Sequence, residues 1–296
     1  MHPKLRLVLT DPIILVLSVL FVLLLYHVLD QRHDSQPTPA DIVDRLSRGE
    51  RIDVPAGDGT TVPIEAPRDE NGKPIDLKRF LDASGPILEK KLQEQEQAFG
   101  ADDPRTVVAR NGVAATLEYR GEHARAKALL QKNYEIATHA ADMPAEARLK
   151  ALQAYAEMAT EAGSAERLTA YQAILPQVIN YAAEAPEQAS AILAGMANEQ
   201  LQMGQLDQAE SNARLSLTMT KARDQRIQSQ FFLTSILFRK HDYAGVRKNA
   251  EEMLVNLRTP PDSPQDRLVA HFIAKMYAEM GDSDRAEEIE REFAPQ

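Results

Sequence analysis

The chain of 296 residues contains no cysteine and no tryptophan, and only 5% of its residues are aromatic. Without cysteine there is no disulfide, thiolate metal site, thiol nucleophile or lipid-modified N-terminal cysteine. This absence does not identify a compartment, because the cytoplasm and the periplasm both accept disulfide-free proteins. Few aromatic and many alanine residues favour helices packed through small side chains over a β-sandwich or a barrel.

An excess of positive charge is also missing, since the formal net charge is −10 at pH 7. Acidic and basic side chains are interspersed along the helical part of the chain. An acidic domain has no general electrostatic attraction for nucleic acid or for an anionic lipid surface. We therefore expect no nucleic-acid partner, and a domain that stands off the membrane.

Motifs of catalysis are missing as well. None of the seven histidines falls in a metal-ligand spacing such as HExxH, and there is no Walker-type phosphate loop and no G-x-S-x-G elbow. The acid pairs Glu251–Glu252 and Glu287–Glu288 occupy adjacent helical positions, which point in different directions and indicate surface charge. The sequence thus predicts a protein that is not an enzyme, with no catalytic residue, no metal, no cofactor and no small-molecule substrate.

One long apolar run is present near the N-terminus. Residues 13–29 read IILVLSVLFVLLLYHVL and carry no formal charge, and as a helix they span roughly 26 Å. Asp11 and Pro12 are typical of a helix start. A cleaved signal peptide is the alternative, but the run ends in Tyr-His-Val-Leu-Asp-Gln-Arg without a small-x-small cleavage site. We predict a short flank at 1–11 and a single-pass transmembrane helix at 12–29.

The charges that flank this run favour one orientation. Lys4, Arg6 and the amino terminus precede it, whereas only Arg32 follows closely. The positive-inside rule then predicts a cytoplasmic N-terminus in the inner (cell) membrane and a periplasmic C-terminal domain.

Residues 30–82 have mixed composition and are predicted to be a spacer. Within it, RIDVPAGDGTTVPIEA (51–66) contains two short β-like runs around Gly57, Asp58 and Gly59, which predicts a small hairpin. Pro55 and Pro63 argue against a central strand in either run.

Beyond residue 83 the pattern becomes helical and repetitive. Five segments share a layout of small and apolar residues, with turn residues recurring roughly every 40 positions at Gly121, Gly163, Gly204, His241 and Gly281. Two antiparallel helices meet at such a turn, where glycine adopts a backbone conformation that is costly for other residues. One helix pair cannot bury its own apolar face, so several must stack.

Two prolines are expected to affect the predicted helices. We expect a leading helix to start at Pro86 and end at Phe99, as the second helix of an incomplete first repeat. Pro176 lies inside a predicted second helix and should kink it.

This layout resembles the tetratricopeptide repeat family over roughly residues 85–294. The segment AFGADDPRT places Gly100, Asp102 and Pro104 as in the Gly-x-Asp-x-Pro linker of kinesin-light-chain-type repeats, although the later linkers do not repeat it. The resemblance implies an all-α fold, a right-handed α-solenoid of about five helix pairs over 83–296, in a membrane-anchored bacterial protein.

The resemblance also implies a groove lined by the first helix of each pair. Its groove positions correspond to the candidate partner-binding residues Asn111, Glu118, Gln153, Glu157, Asn198, Leu201, Phe231, Ser235, Phe238, His271 and Lys275. The phenylalanines among them also fit a buried core, and His271 also fits an ordinary solvated histidine. A branch of the family that grips C-terminal carboxylates needs Lys and Asn where this chain has Asn111 and Ala115, so we do not expect carboxylate capture.

These patterns together predict a membrane-anchored scaffold that binds protein partners, in assembly or maturation of an envelope complex. Two alternatives stay open. One is a permanent accessory subunit of a larger membrane complex. The other is a hydrolase with an unrecognised site in residues 30–82.

Overall fold

The structure is a computed structural model that describes residues 45, 48–50, 52–55, 61–64, 77–158, 163–259 and 264–294. The membrane helix predicted at 12–29 and most of the spacer lie outside these residues. Within the described part of the chain, no helix has both the length and the apolar character needed to cross a bilayer.

Two short strands lie where the sequence predicts a hairpin. Strand β1 (Ile52–Pro55) pairs with strand β2 (Thr61–Ile64) in antiparallel register, with Ile52 opposite Ile64 and Val54 opposite Val62. Each strand has only one neighbour, so Pro55 and Pro63 lie in strands that keep an edge free, as proline requires.

From residue 77 onward the described chain is built of helices and their connections, in agreement with the all-α prediction. The helices are α1 (Leu77–Phe99), α2 (Pro104–Tyr119), α3 (His123–His139), α4 (Ala145–Met158), α5 (Ser164–Tyr181), α6 (Pro186–Gln202), α7 (Leu206–Met219), α8 (Arg223–Arg239), α9 (Tyr243–Leu257), α10 (Pro264–Glu279) and α11 (Ser283–Glu292).

The start of α1 corrects one prediction. We expected the leading helix to begin at Pro86, but it begins at Leu77 and contains Pro86 in its interior. Proline suits the first turn of a helix because it lacks an N–H group, yet inside a helix the same lack removes one hydrogen bond and the chain can continue. Pro86 therefore marks a gap in the hydrogen-bond ladder and does not mark the helix start.

The chain divides into two compact units, Met1–Leu129 and Leu130–Gln296, with the boundary inside α3. In the first unit α1 packs against α2. Arg110 of α2 is fully buried there, and its guanidinium donates to Glu96 at 2.8 Å and to the carbonyl of Ala101 at 3.1 Å. Asp103 caps α2 by accepting from the Arg105 N–H, so α2 begins directly after the predicted linker.

In the second unit each helix from α4 to α11 contacts the next one along the chain. In addition, α4 contacts α6, and α6 contacts α8. These three are the first helices of the successive pairs α4–α5, α6–α7 and α8–α9. A core cluster spans α6 to α10 and joins Ala197, Leu201, Ala213, Leu233 and Met276 with their apolar neighbours. Neighbouring pairs thus share one apolar interior, which is what stacked helix pairs require.

Four of the five predicted turn residues adopt the left-handed conformation. Gly121, Gly204 and Gly281 have φ of 74°, 73° and 81°, and His241, with φ of 58°, is the one residue other than glycine with positive φ among the described residues. At each turn this residue and the next donate to carbonyls of the preceding helix three and five residues back. The same hydrogen-bonded helix ending therefore recurs four times.

Gly163 is the exception and corrects the fifth prediction. Its φ is −46°, and it precedes α5 as the N-cap residue. A glycine in that region of backbone space has no conformational advantage over other residues. Gly163 fits the repeat spacing but does not adopt the left-handed conformation.

A chain of three buried serines links α6, α7 and α8. The Ser216 hydroxyl lies 2.8 Å from the Ser190 hydroxyl and 2.7 Å from that of Ser229, and it also reaches the Ser190 carbonyl. All three side chains are inaccessible to solvent, so their hydrogen bonds must be satisfied within the protein.

Candidate partner-binding face

The predicted groove residues divide by exposure. Four are buried, namely Asn198, Leu201, Phe231 and Ser235. Ser235 donates to the carbonyl of Phe231, and the Phe231 ring packs on that of Phe272 with centroids 4.5 Å apart. These four side chains are part of the helix interfaces and do not reach the surface.

The remaining predicted residues reach the surface in different places. In the first unit Asn111 is half-buried, and Glu118 is hydrogen-bonded to His123 at 2.7 Å. In the second unit the half-buried Phe238 packs beside Tyr243.

On α10, His271 and Lys275 lie one turn apart, both half-buried. His271 is paired with Glu290 of α11. His271 thus helps to join α10 to α11.

Gln153 and Glu157 are the two predicted residues that the structure brings into one cluster. They lie one turn apart on α4, and the Gln153 amide donates to the Glu157 carboxylate at 2.6 Å. Gln188 of the neighbouring first helix, α6, donates in turn to the Gln153 side-chain carbonyl. A continuous hydrogen-bonded chain therefore crosses from α4 to α6.

Tyr171 of α5 also contacts this cluster. Its hydroxyl donates to Glu157 at 3.2 Å, while its ring is almost fully buried. The ring lies against Gly195 of α6, where a side chain would not fit. Gly195 thus lets Tyr171 come close to α6 and aim its hydroxyl at Glu157.

A second carboxylate lies close to the first. Glu199 of α6 is buried and receives two hydrogen bonds from the Arg167 guanidinium, at 2.9 and 3.1 Å. The charge of Glu199 raises the pKa of Glu157, and the charge of Arg167 opposes that rise.

The surroundings of Glu157 change its acidity. Although part of its side chain reaches solvent, the carboxyl group lies among side chains of three helices, and this crowding raises its pKa. The hydrogen bonds from Gln153 and Tyr171 oppose that rise, and the nearby Glu199 adds to it. Burial, together with the Glu157 charge, also raises the pKa of Tyr171 well above its ordinary value, so this hydroxyl stays a donor.

Sequence reasoning missed Tyr171, Gln188, Glu199 and Arg167, because their partners lie on other helices. One local signal was available. Gly195 is a glycine inside a helical run, and such a residue often marks a close approach by another element.

We define the first-helix face as the surface formed by Gln153, Glu157 and Gln188 on α4 and α6. Its exposed groups are amides and one carboxylate, which donate and accept hydrogen bonds but contain no paired nucleophile and base. In the parts of the chain that the structure covers, no group of three or more histidines and acids is placed to hold a metal ion.

A second surface feature lies between α9 and α11. Arg247, Glu251, Tyr277 and Arg285 line an open depression of about 500 Å³. Arg285 donates two hydrogen bonds to Glu251, at 2.9 and 2.7 Å, and Tyr277 donates a third. The Glu251 carboxylate thus accepts three hydrogen bonds from side chains of the protein itself.

Comparison with known proteins adds no family assignment. A scan of the chain against protein-family models gave no match, and neither did a search of curated proteins.

Proposed function

We propose that this protein is a membrane-anchored scaffold that binds protein partners through the first-helix face, in assembly or maturation of an envelope complex. The observation that carries this proposal is the hydrogen-bonded chain from Gln188 through Gln153 to Glu157. It places polar groups of two neighbouring first helices on one accessible surface.

The chemistry of this face fits an extended peptide segment. Glutamine side chains both donate and accept hydrogen bonds, so they can bind the main chain of a peptide whatever its sequence. The Glu157 carboxylate, which is exposed on this face, favours a partner that brings a lysine or arginine to this point.

The repeated architecture supports the same role. We infer that the pairs α4–α5, α6–α7, α8–α9 and α10–α11 are tetratricopeptide-like repeats of a solenoid. The recurring helix ending at residues 204, 241 and 281 and the contacts among α4, α6 and α8 favour this inference. Stacked pairs of this kind form extended binding surfaces.

The membrane location that we propose for this protein rests on its sequence alone. A membrane helix at 12–29 would hold the protein at the inner membrane, and residues 30–82 would set its reach, with the repeats on the periplasmic side. A reporter fused after residue 35, active only in the periplasm, tests this orientation. Activity only in the cytoplasm would refute it.

A permanent accessory subunit is the second candidate, and one observation favours it. Ile179, Leu215 and Val255 stand 65%, 43% and 60% exposed on the successive second helices α5, α7 and α9. A permanently bound partner on this side of the helices would cover these apolar side chains.

Purification of the full-length protein from membranes in mild detergent separates the two candidates. A scaffold is expected to carry partners below 1:1 stoichiometry, and these should be lost in high salt and in the variant E157Q/Q188A. The matched control is Gln172→Ala, at an exposed position of α5, which should retain them. A stoichiometric partner that survives high salt and both variants would favour the accessory subunit and refute the scaffold.

A further inference from the structure

Helix α11 is unusual in how little apolar surface it buries. Of its ten residues only Ala286 and Ile289 are buried. Helix α9, which has the corresponding place in the preceding pair, buries Val246, Ala250 and Met253 together with three further side chains. Apolar packing therefore contributes far less to the docking of α11 than to that of α9.

Ion pairs hold α11 instead. Arg285 of α11 binds Glu251 of α9 through two hydrogen bonds, and Glu292 receives two from Arg258, the residue after α9, at 2.5 and 2.8 Å. The Glu290 carboxylate is also hydrogen-bonded to the ring of His271 of α10. The two ion pairs and this hydrogen bond anchor α11 near both ends, and they use side chains on both neighbouring elements.

These ion pairs are accessible to solvent. The side chains of Arg258 and Glu292 are 40% and 34% exposed, and in the second pair Glu251 is 45% and Arg285 21% exposed. Salt screens charge pairs in such positions strongly, whereas it has little effect on apolar burial. The docking of α11 must therefore weaken with ionic strength more than the packing of the helices before it.

We propose that α11 is a salt-controlled latch on α10. At low ionic strength its ion pairs keep it docked. As ionic strength rises, α11 opens locally while the preceding helices of the unit stay folded, because their buried side chains are unaffected. Opening uncovers the side of α10 against which α11 packs, so ionic conditions decide whether that surface is available.

Hydrogen–deuterium exchange of the full-length protein in detergent tests this latch. We expect the amides of 283–292 to exchange at least about tenfold faster in about 500 mM than in about 50 mM NaCl, over which range the screening length falls severalfold. Amides of α6 should change by less than about twofold, since this helix is held by eleven buried side chains.

Two variants identify the contacts responsible. The double variant R258Q/R285Q should exchange rapidly in α11 at both salt concentrations. The matched control R214Q removes an exposed pair within α7 and should leave α11 exchange and its salt response unchanged. I289A should speed α11 exchange at both concentrations while keeping the salt response.

The latch is refuted if α11 exchange in the unmodified protein does not depend on salt. It is also refuted if α11 exchanges in step with α9 and α10 under every condition, because α11 would then be an integral part of that fold. A salt response that persists in R258Q/R285Q would assign the effect to other contacts and would equally contradict it.

Discussion

The ring of Tyr171 occupies the space that a side chain at residue 195 would need. A methyl group built on Gly195 lies 2.8 Å from Cζ of Tyr171, well inside contact distance. This approach between α5 and α6 places the Tyr171 hydroxyl beside Glu157. The absence of one side chain on α6 thus positions a donor for the first-helix face.

Gly195→Ala should therefore destabilise the protein by about 1–3 kcal/mol, because the core must shift to admit the methyl group. The control is Gly112→Ala on α2, where no atom lies within 4 Å of the added carbon. Alanine there should stabilise by about 0.5–1 kcal/mol through its better helix propensity. Urea unfolding of both variants measures the difference, and equal effects would disprove the close approach.

At the recurring turns, substitutions to and from glycine should change the free energy of unfolding in opposite directions. His241→Gly should stabilise the protein by about 1 kcal/mol, because a left-handed conformation is costly for a residue with a Cβ atom. The loss of the His241 contact with Tyr243, at 3.1 Å, reduces this gain. Gly204→Ala should destabilise by about 1–2 kcal/mol for the same reason.

Gly163→Ala serves as the matched control for the turns. Its φ is negative and its surroundings are open, so only the preference for glycine over alanine at an N-cap is lost, and the cost should be about 0.5 kcal/mol. Thermal unfolding of the three variants ranks them. A cost at Gly163 equal to that at Gly204 would contradict the distinction between the two turns.

Glu157 and Glu251 should give pH dependences of opposite sign. The pKa of Glu157 is raised above 4.5 in the folded protein, so folding favours its protonated form and stability falls as pH rises above 4.5. Glu157→Gln mimics the protonated form. The variant should match the unmodified protein at acidic pH and exceed its stability at neutral pH.

At Glu251 burial also favours the protonated form, but the bonds from Arg285 and Tyr277 outweigh it and lower the pKa below 4.5. Its ionised form therefore stabilises the fold above pH 4.5, and this contribution is lost as pH falls through the lowered pKa. Glu251→Gln should be less stable than the unmodified protein at neutral pH and should match it in acid. Urea midpoints across pH 3–8 test both variants, and slopes of the same sign would contradict these assignments.

The serine chain predicts non-additive effects. Ser216→Ala should cost about 1 kcal/mol, because it removes one contact from each of the buried hydroxyls of Ser190 and Ser229, which keep the carbonyls of Ser216 and Gln225 as acceptors. Replacing all three with alanine should cost less than the sum of the single changes, since each hydroxyl–hydroxyl contact is lost in two of the single variants and is counted twice in that sum. Chemical denaturation of the full set of variants measures this coupling, and strictly additive costs would show that the hydroxyls act independently.

The features that the sequence predicts well are those that depend on residues close together in the chain. The left-handed turns at Gly121, Gly204 and Gly281 follow from repeat phase and the backbone preference of glycine, whereas the turn at His241 follows from repeat phase alone. Pro86 and Gly163 misled the prediction because each residue type suits more than one local structure.

The candidate face depends on pairings that local patterns do not contain. Gln188 and Gln153 lie 35 residues apart in sequence, and Tyr171 and Glu157 lie 14 apart. Helix α6 is buried on almost every side from Ala189 to Leu201. Counting positions along the repeat therefore could not separate Asn198 and Leu201, which are buried, from residues that reach a partner.

Site-specific photo-crosslinking in intact cells tests the binding role most directly. A photoreactive amino acid at position 150, exposed on α4 one turn before Gln153, is compared with one at position 172, exposed on α5. We predict discrete crosslinked protein partners from position 150 and none from position 172. Partners captured equally from both positions, or only from position 172, would contradict binding through the first helices.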